Sequence, residues 1–315
     1  MAGTSMKAPL FIGGCSRSGT TLLASMLGAA PGTFVIPESH FKVSLLQKLI
    51  PDDHGLFFSR DVISYISTHP RYRIWCCSEP LKLMQNRVSL SVIMDTLALH
   101  YAKQHGVATV DSWIDHTPGN IEHAPVLNLH FSEAKFIHIV RDGRGFAASV
   151  KKLDWGFHDL IMIGRLWRDT LIRDLNIEKA LGDRVLRVHY EDLVERPEQT
   201  LQKICAFTHH AYTPEMLKAN GFFTPSYTKN QHNLIGKGVE SKRSAAWKKS
   251  LTPREIELFE SVAGSMLRRM KYEPMFENPS QKLSVSEFFY FKIRNTFYRY
   301  YDKYKISKRY SKNIA

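Results

Sequence analysis

The stretch Pro9-Leu10-Phe11-Ile12-Gly13-Gly14-Cys15-Ser16-Arg17-Ser18-Gly19-Thr20-Thr21-Leu22-Leu23 constrains this chain more than any other. Its apolar run before Gly13 reads as a buried strand, and Leu22, Leu23, Met26 and Leu27 then recur at helical spacing. Between strand and helix lies a loop of Gly and Ser. Such a loop aims successive backbone N–H groups at one point, where the following helix presents its positive end, and so makes a site for phosphate or sulfate. Gly14 and Gly19 meet the Gly-x-x-x-x-Gly spacing of nucleotide loops, but Thr20 stands where a Walker loop carries Lys. Arg17 supplies positive charge instead, with a fork suited to a tetrahedral oxyanion. The pattern points to a group-transfer donor with few phosphates and no obligatory magnesium. The bland alternative is a strand–turn–helix with a chance pair of glycines.

Further strands follow at intervals, and several end in polar residues. Thr33 to Ile36 is a short β-prone run that ends in Pro37-Glu38-Ser39-His40. In open α/β sheets ligands bind beyond the carboxyl ends of the strands, so Glu38 faces the same crevice as the loop or simply begins the Phe41–Leu49 helix. Val107 to Ile114 reads as a strand before Asp115-His116-Thr117-Pro118-Gly119-Asn120. His116 is there either a structural histidine or a catalytic one. Lys135 to Val140 is an apolar strand running into Arg141-Asp142-Gly143-Arg144-Gly145, with a helix starting at Phe146. Arg141, with Ser149 in that helix, makes a second anion site; the Arg beside Asp142 argues against a magnesium acid. Arg184 to His189 is the last strand, followed by Tyr190-Glu191-Asp192-Leu193.

The helical regions are Pro51 to Gln104, clearest over Val88–Tyr101, then Trp155 to Leu181, Pro197 to Phe207 and Pro253 to Met270. The last is capped by Leu251-Thr252-Pro253 and striped by Ile256, Phe259, Val262, Ala263, Met266 and Leu267. Gly221 to Arg243 is rich in Gly, Ser, Asn and Lys, long enough to serve as a lid. The expected fold is α/β: a P-loop-type, three-layer arrangement with a central, mostly parallel sheet flanked by helices. It spans residues 1–279, and a basic aromatic C-terminal helix or tail covers 280–315.

Charge bears on partners. The chain has 43 Lys plus Arg against 30 Asp plus Glu, a net +13. From Gln281 to Ala315 nine basic residues face two acids, a surplus of seven, which leaves +6 on the rest. Half the basicity thus lies in a short tail and not on a nucleic-acid face. In that tail Phe289, Ile293, Phe297, Tyr300 and Tyr304 share one helical face, with Lys292, Arg299 and Lys303 largely off it. The face either packs on the body of the protein or lies on an anionic bilayer. No apolar run approaches a membrane span and Met1–Ala8 has no signal-like core. Four cysteines without framework spacing suit a reducing compartment, and Cys15 reads as a small buried thiol. The expectation is a cytoplasmic protein, with the tail offering peripheral contact at the inner membrane face. No Cys/His cluster has metal-ligand spacing; His123 and His130 fall on helix faces.

Arg17-Ser18-Gly19-Thr20-Thr21, then Arg141-Asp142-Gly143-Arg144 and Ser149, then His189 to Leu193 and the Trp247-Lys248-Lys249 to Pro253 run, resemble the sulfotransferases that use 3′-phosphoadenosine 5′-phosphosulfate (PAPS). The nearest pattern is the bacterial branch similar to tyrosylprotein sulfotransferases, from Pro9 to about Tyr272. The resemblance implies that Arg17, Ser18, Gly19, Thr20 and Thr21 hold the 5′-phosphosulfate and that Arg141 and Ser149 hold the 3′-phosphate. It implies that Tyr190 lies near the nucleotide, that Lys237 and Gly238 belong to a loop closing over the donor, and that Glu38 is the general base. One departure stands out: His116 replaces a Lys of that branch, which steadies the leaving sulfuryl oxygens. His116 can do so through one N–H or when protonated, or it can share the base role with Glu38.

Sulfuryl transfer resembles phosphoryl transfer and needs in-line positioning, fixed positive dipoles and a base for the acceptor hydroxyl. The acceptor could be a saccharide, a lipid, a tyrosine peptide or a metabolite. Two rivals stand beside this reading. A P-loop kinase would need the missing Lys and a magnesium acid. A non-catalytic nucleotide- or membrane-binding protein would have no use for Glu38.

Overall fold

The apolar run at the start of the chain becomes β1 (Leu10–Gly13), buried along its whole length. It pairs with β5 (Ser112–Asp115) on one side and β6 (Lys135–Val140) on the other; β2 (Thr33–Ile36) and β7 (Val185–His189) complete a sheet ordered β2-β5-β1-β6-β7 with every pair parallel. Near-continuous apolar strands such as Phe136–Val140 suit a parallel sheet covered on both faces. The chain lays β2 and β5 on one side of β1, then crosses to lay β6 and β7 on the other. β1 therefore sits at the switch point, where α/β sheets open a crevice for ligands. Register brings Gly13 opposite His138 and Ile36 opposite Asp115, so the strand ends that carry the polar motifs converge.

The computed structural model of the chain describes residues 6–73, 75, 86–153, 159–223, 244–287, 289 and 293. In chain order its helices are α1 (Thr20–Leu27), α2 (His40–Lys48), α3 (Ser59–Thr68), α4 (Pro70–Arg73), α5 (Leu90–Gln104), α6 (Ala124–His130), α7 (Gly143–Val150), α8 (Leu160–Leu181), α9 (Tyr190–Glu195), α10 (Pro197–Thr208), α11 (Trp247–Ser250) and α12 (Pro253–Arg269). One face of the sheet buries Leu10, Ile12 and Ile137 against Leu23 and Met26 of α1 and Leu201 of α10. The other buries Phe11 and Phe136 against Trp113, Phe131 and Leu97. Trp167 of α8 and Phe259 of α12 centre a third cluster.

Where the sequence and the fold part, local chemistry explains it. Expected from Val107, β5 begins only at Ser112, because the amides of Asp111 and Ser112 both donate to the Gly32 carbonyl oxygen. α7 starts at Gly143 and not at Phe146, since the Asp142 carboxylate accepts from Arg144 N (2.9 Å) and caps it. The block after Pro51 is helical as expected but includes a two-residue antiparallel ladder, β3 (Phe57–Phe58) with β4 (Arg87–Val88). α12 matches its expected span to one residue: Thr252 and Glu255 form a reciprocal capping box, and the six stripe residues are buried. Among the described residues no helix is long and apolar enough to cross a membrane. The tail is described only at its start, where Phe289 and Ile293 are exposed.

Candidate active site

The loop between β1 and α1 is shaped by two glycines. Gly14 has φ +140° and Gly19 φ +102°. A β-carbon on Gly14 would fall on the Ile139 carbonyl oxygen, and one on Gly19 would lie 2.6 Å from the Tyr190 ring. Conformation and space both require glycine here. Arg17 is left-handed too (φ 66°), an uncommon state for a residue with a side chain. Its Nε donates to Ser149 Oγ at 3.2 Å, and Arg141 Nη1 donates to the Arg17 carbonyl oxygen at 2.9 Å. The Arg141 guanidinium also lies 4.5 Å over the Tyr190 ring.

The two anion motifs of the sequence are therefore one place. Arg17 and Arg141 meet where β1 and β6 end, and among the described residues neither forms an ion pair. Burial lowers the pKa of Arg17, the charge of Arg141 lowers it further, and Glu38 pulls the other way. Ser18 is fully buried, and its Oγ, like Arg141 Nε, has no hydrogen-bond partner among the described residues. Buried polar atoms are rarely left unmatched, so these two are candidates for pairing with a ligand. Tyr190 is itself buried, wedged between Gly19 and Arg141, and supports both. Cys15 is buried, and burial, then Asp174, push its thiol up to about 12, which removes it as a nucleophile.

Glu38 and His116 stand beyond the ends of β2 and β5. Glu38 Oε2 lies 2.8 Å from His40 Nε2, and its charge acts on Arg17, Lys42 and His116. His116 is 2% exposed, neither ring nitrogen bonds another described residue, and the ring meets Phe222 edge-on at 4.9 Å. Burial lowers its pKa, with Glu38 and Asp115 opposing. Phe222 is brought there by Gly221, whose N–H donates to Ser25 O (2.9 Å) at the end of α1.

Beneath these two residues lies a polar network that the sequence did not announce. Lys42, fully buried, places Nζ 2.9 Å from Asp115 Oδ2, 2.7 Å from Asn120 Oδ1 and 3.1 Å from Ser39 Oγ. Asp115 also accepts from Thr117 N (2.8 Å), Thr117 Oγ1 and Ser39 Oγ. Asn120 Nδ2 donates to Ile12 O and Asp115 O, both at 3.0 Å, which ties β1 to β5. Burial would push Asp115 up, but the Lys42 charge and these hydrogen bonds outweigh it and hold the carboxyl well below its ordinary range. The network fixes the two turns that carry Glu38 and His116. Lys42 gave no signal, because it sits on a helix like any surface lysine; Phe222 falls at the start of the stretch read as a lid, but nothing singled out that residue. Lys237 and Gly238 lie outside the described residues.

A family model described as "Sulfotransferase family" matches residues 9–214, from β1 to the segment that precedes Phe222. The chain belongs to the sulfotransferase family. This sulfotransferase is 26% identical over 292 residues to protein-tyrosine sulfotransferase 1 of Danio rerio, covering 86% of this chain and 74% of that one. It is 25% identical over 300 residues to nodulation protein NoeE of Sinorhizobium fredii, covering 85% and 67%. An uncharacterized protein of Aquifex aeolicus is 25% identical over 263 residues; the alignment takes in 78% of this chain and only 32% of that longer one, so the sulfotransferase spans about a third of its length. Among solved structures, the sulfotransferase domain of the Synechococcus PCC 7002 olefin synthase superposes with a TM-score of 0.59 at 22% identity, covering 87% of this chain and 98% of that one. The corresponding domain from the curacin biosynthetic pathway gives 0.57 at 19%, covering 85% and 99%. These two establish the fold, a P-loop-type sheet between helices.

Proposed function

We propose that this sulfotransferase moves a sulfuryl group from PAPS to an acceptor hydroxyl by in-line displacement. The observation that supports it most is the placing of two arginine charges at one strand-end site: the Arg141 guanidinium bonds the Arg17 backbone, its charge acts on the Arg17 guanidinium, and neither has a carboxylate ion-pair partner among the described residues. Two such charges are costly unless a ligand brings negative charge. The donor supplies an activated sulfuryl group on a phosphosulfate anhydride. The backbone from Gly14 to Gly19, with Ser18, Thr20 and Thr21 at the start of α1, would hold the 5′ anion. Arg141 and Ser149 would hold the 3′-phosphate. Arg17, which reaches Ser149, would stand between the two anions.

On the acceptor side Glu38 takes the hydroxyl proton as the acceptor oxygen bonds to sulfur and the sulfur–oxygen bond to the bisphosphate breaks. His116, kept neutral by burial, offers one N–H to the oxygens that gain charge, where the tyrosylprotein branch uses Lys. The names of the relatives make a phenolic hydroxyl one acceptor to assay first, beside saccharides and lipids. Lys237 and Gly238 would close over the donor, and the basic tail from residue 280 would add peripheral membrane contact. The test is a thermal-shift series with adenosine 3′,5′-bisphosphate, ATP and GTP, followed by mass-spectrometric detection of labelled sulfate on hydroxyl acceptors. Stabilisation by the bisphosphate without magnesium is expected. Stabilisation by magnesium-ATP alone would overturn the reading in favour of a kinase.

A further inference from the structure

The peptide unit between Arg141 and Asp142 is gripped from both sides. Its carbonyl oxygen accepts from Trp167 Nε1 at 3.2 Å, and its N–H, on Asp142, donates to Glu191 Oε1 at 3.1 Å. Asp142 caps α7 and spends its own carboxylate on Arg144, at the backbone N (2.9 Å) and at Nη2 of the guanidinium (2.8 Å). Its N–H lies ahead of the helix ladder, so an acceptor must come from elsewhere. Glu191, the second residue of α9, brings one. The other oxygen of Glu191, Oε2, accepts from the Tyr272 hydroxyl at 2.7 Å, and His189 Nδ1 lies 2.9 Å from that same phenol oxygen. Because the phenol gives its proton to Glu191, His189 donates to it through Nδ1–H. Burial raises the pKa of Glu191, and the bonds from Tyr272 and Asp142 oppose it. Tyr272 is delivered by the turn after α12, where Lys271 is left-handed (φ 63°) and the Tyr272 N–H donates to Leu267 O at 2.9 Å. It lies beyond residues 9–214, which the family model matches. Tyr190, the neighbour of Glu191, meets the other end of the same arginine: the Arg141 guanidinium lies 4.5 Å over its ring. Two successive residues thus hold Arg141, one at the guanidinium and one at the backbone.

We propose that Glu191 is a positioning residue for the donor site: by fixing the 141–142 peptide it sets the direction from which Arg141 presents its guanidinium to the 3′-phosphate, with Tyr272 holding Glu191 in turn. This rests on the reading of Arg141 as the residue that holds the 3′-phosphate. A peptide free to rotate at this point swings the root of the arginine side chain. The 5′ anion is held by a different loop, the one after β1, so loss of the grip should be felt chiefly at the 3′-phosphate.

The experiment is calorimetric titration of wild type, Glu191→Met, Glu191→Gln, Tyr272→Phe and Arg141→Ala with two ligands. One is adenosine 3′,5′-bisphosphate and the other adenosine 5′-phosphate, which lacks the 3′ group. Met keeps the length and packing of Glu but accepts no hydrogen bond of this kind. Glu191→Met should weaken the bisphosphate by roughly five- to tenfold, as for one hydrogen bond lost, and leave adenosine 5′-phosphate bound as by wild type. Gln keeps an oxygen for the Asp142 N–H and turns its own N–H to the phenol oxygen, whose proton then passes to His189 Nδ1. Glu191→Gln should therefore restore the affinity that Met loses. Tyr272→Phe should weaken the bisphosphate by about two- to threefold, since it loosens Glu191 without removing it. In the Arg141→Ala background Glu191→Met should add no further loss, because its effect runs through Arg141. Equal weakening of both ligands by Glu191→Met, full affinity for both, or the same loss with and without Arg141 overturns the positioning role. If Glu191→Met does not fold, Tyr272→Phe is carried through the same two ligands and the same background and decides alone. Arg141→Ala separates the two readings. If it binds both ligands as wild type does, the 3′-phosphate assignment fails and Glu191 has nothing to position. If it loses the bisphosphate alone while Glu191→Met loses neither, only the role of Glu191 fails.

Discussion

The donor half and the acceptor half of the crevice handle charge in opposite ways. Around the loop after β1, Arg17 and Arg141 converge with no carboxylate bound to either among the described residues, and Ser18 Oγ and Arg141 Nε are left without partners. Around Glu38 and His116 polar groups are paired within the protein: the Glu38 carboxylate contacts the His40 ring, and Asp115 is paired with Lys42. An unmatched positive site is complete only when an anion arrives, so the donor half is built for a polyanion. A matched site can be entered by a neutral hydroxyl at little electrostatic cost. The contrast supports the proposal that the donor binds in the first half and the acceptor in the second.

The comparison can be broken at each end. The largest effect is expected at the acceptor end, where Glu38→Gln should lower kcat by roughly 10²–10⁴-fold. Isothermal titration should at the same time show bisphosphate bound as by wild type. Normal turnover in that variant would erase the division of labour.

Next in size is the network below. Lys42→Met leaves Asp115 buried without its counter-charge and should cost about 3–5 kcal/mol in urea unfolding. The folded pKa of Asp115 is depressed, so its contribution to stability is full above its unfolded value, about pH 4, and is lost as pH falls toward the lower folded value. Wild type should therefore lose stability steeply below pH 4, and Lys42→Met less so. Equal slopes would show that the network is not what holds the turns.

The donor half is sharpened by Arg141→Ala, which should weaken bisphosphate binding by about 1.5–3 kcal/mol, the worth of a lost charged hydrogen bond. Wild-type affinity by calorimetry would move the 3′-phosphate elsewhere. The smallest effect concerns neither half. If the tail adds membrane contact at about 1 kcal/mol per nearby basic residue, the full chain should sediment with anionic vesicles more than a chain ending at Pro279. Equal sedimentation removes that role.

Much of the donor half was legible because it depends on local chemistry. Gly14 and Gly19 answer to backbone conformation, α1 to its apolar spacing, and Arg141 to its place directly after an apolar strand; each can be read within a few residues. The acceptor half was legible only in part. Glu38 and His116 could be singled out by their positions after strands. Their supports could not, because Lys42 and Asn120 meet 78 residues apart in the chain, as Ser39 and Thr117 also do. A lysine on a short helix carries no mark of being wholly buried. The helix stripe of α12 was readable for the opposite reason: its period and its capping box lie in one continuous segment.

The amino-acid sequence by itself determined the strand–loop–helix, the parallel α/β sheet and the family resemblance, and it singled out the proposed anion-binding residues, since each rests on spacing along the chain. Only the tertiary structure decided that Arg17 and Arg141 share one strand-end site, that Lys42 and Asp115 pair beneath Glu38, that His40 contacts Glu38 and that Phe222 contacts His116. Those facts depend on which strand ends the parallel register brings side by side. A crossover from β5 to β6 past β1 sets that register through packing on both faces of the sheet, and no local pattern of residues encodes it.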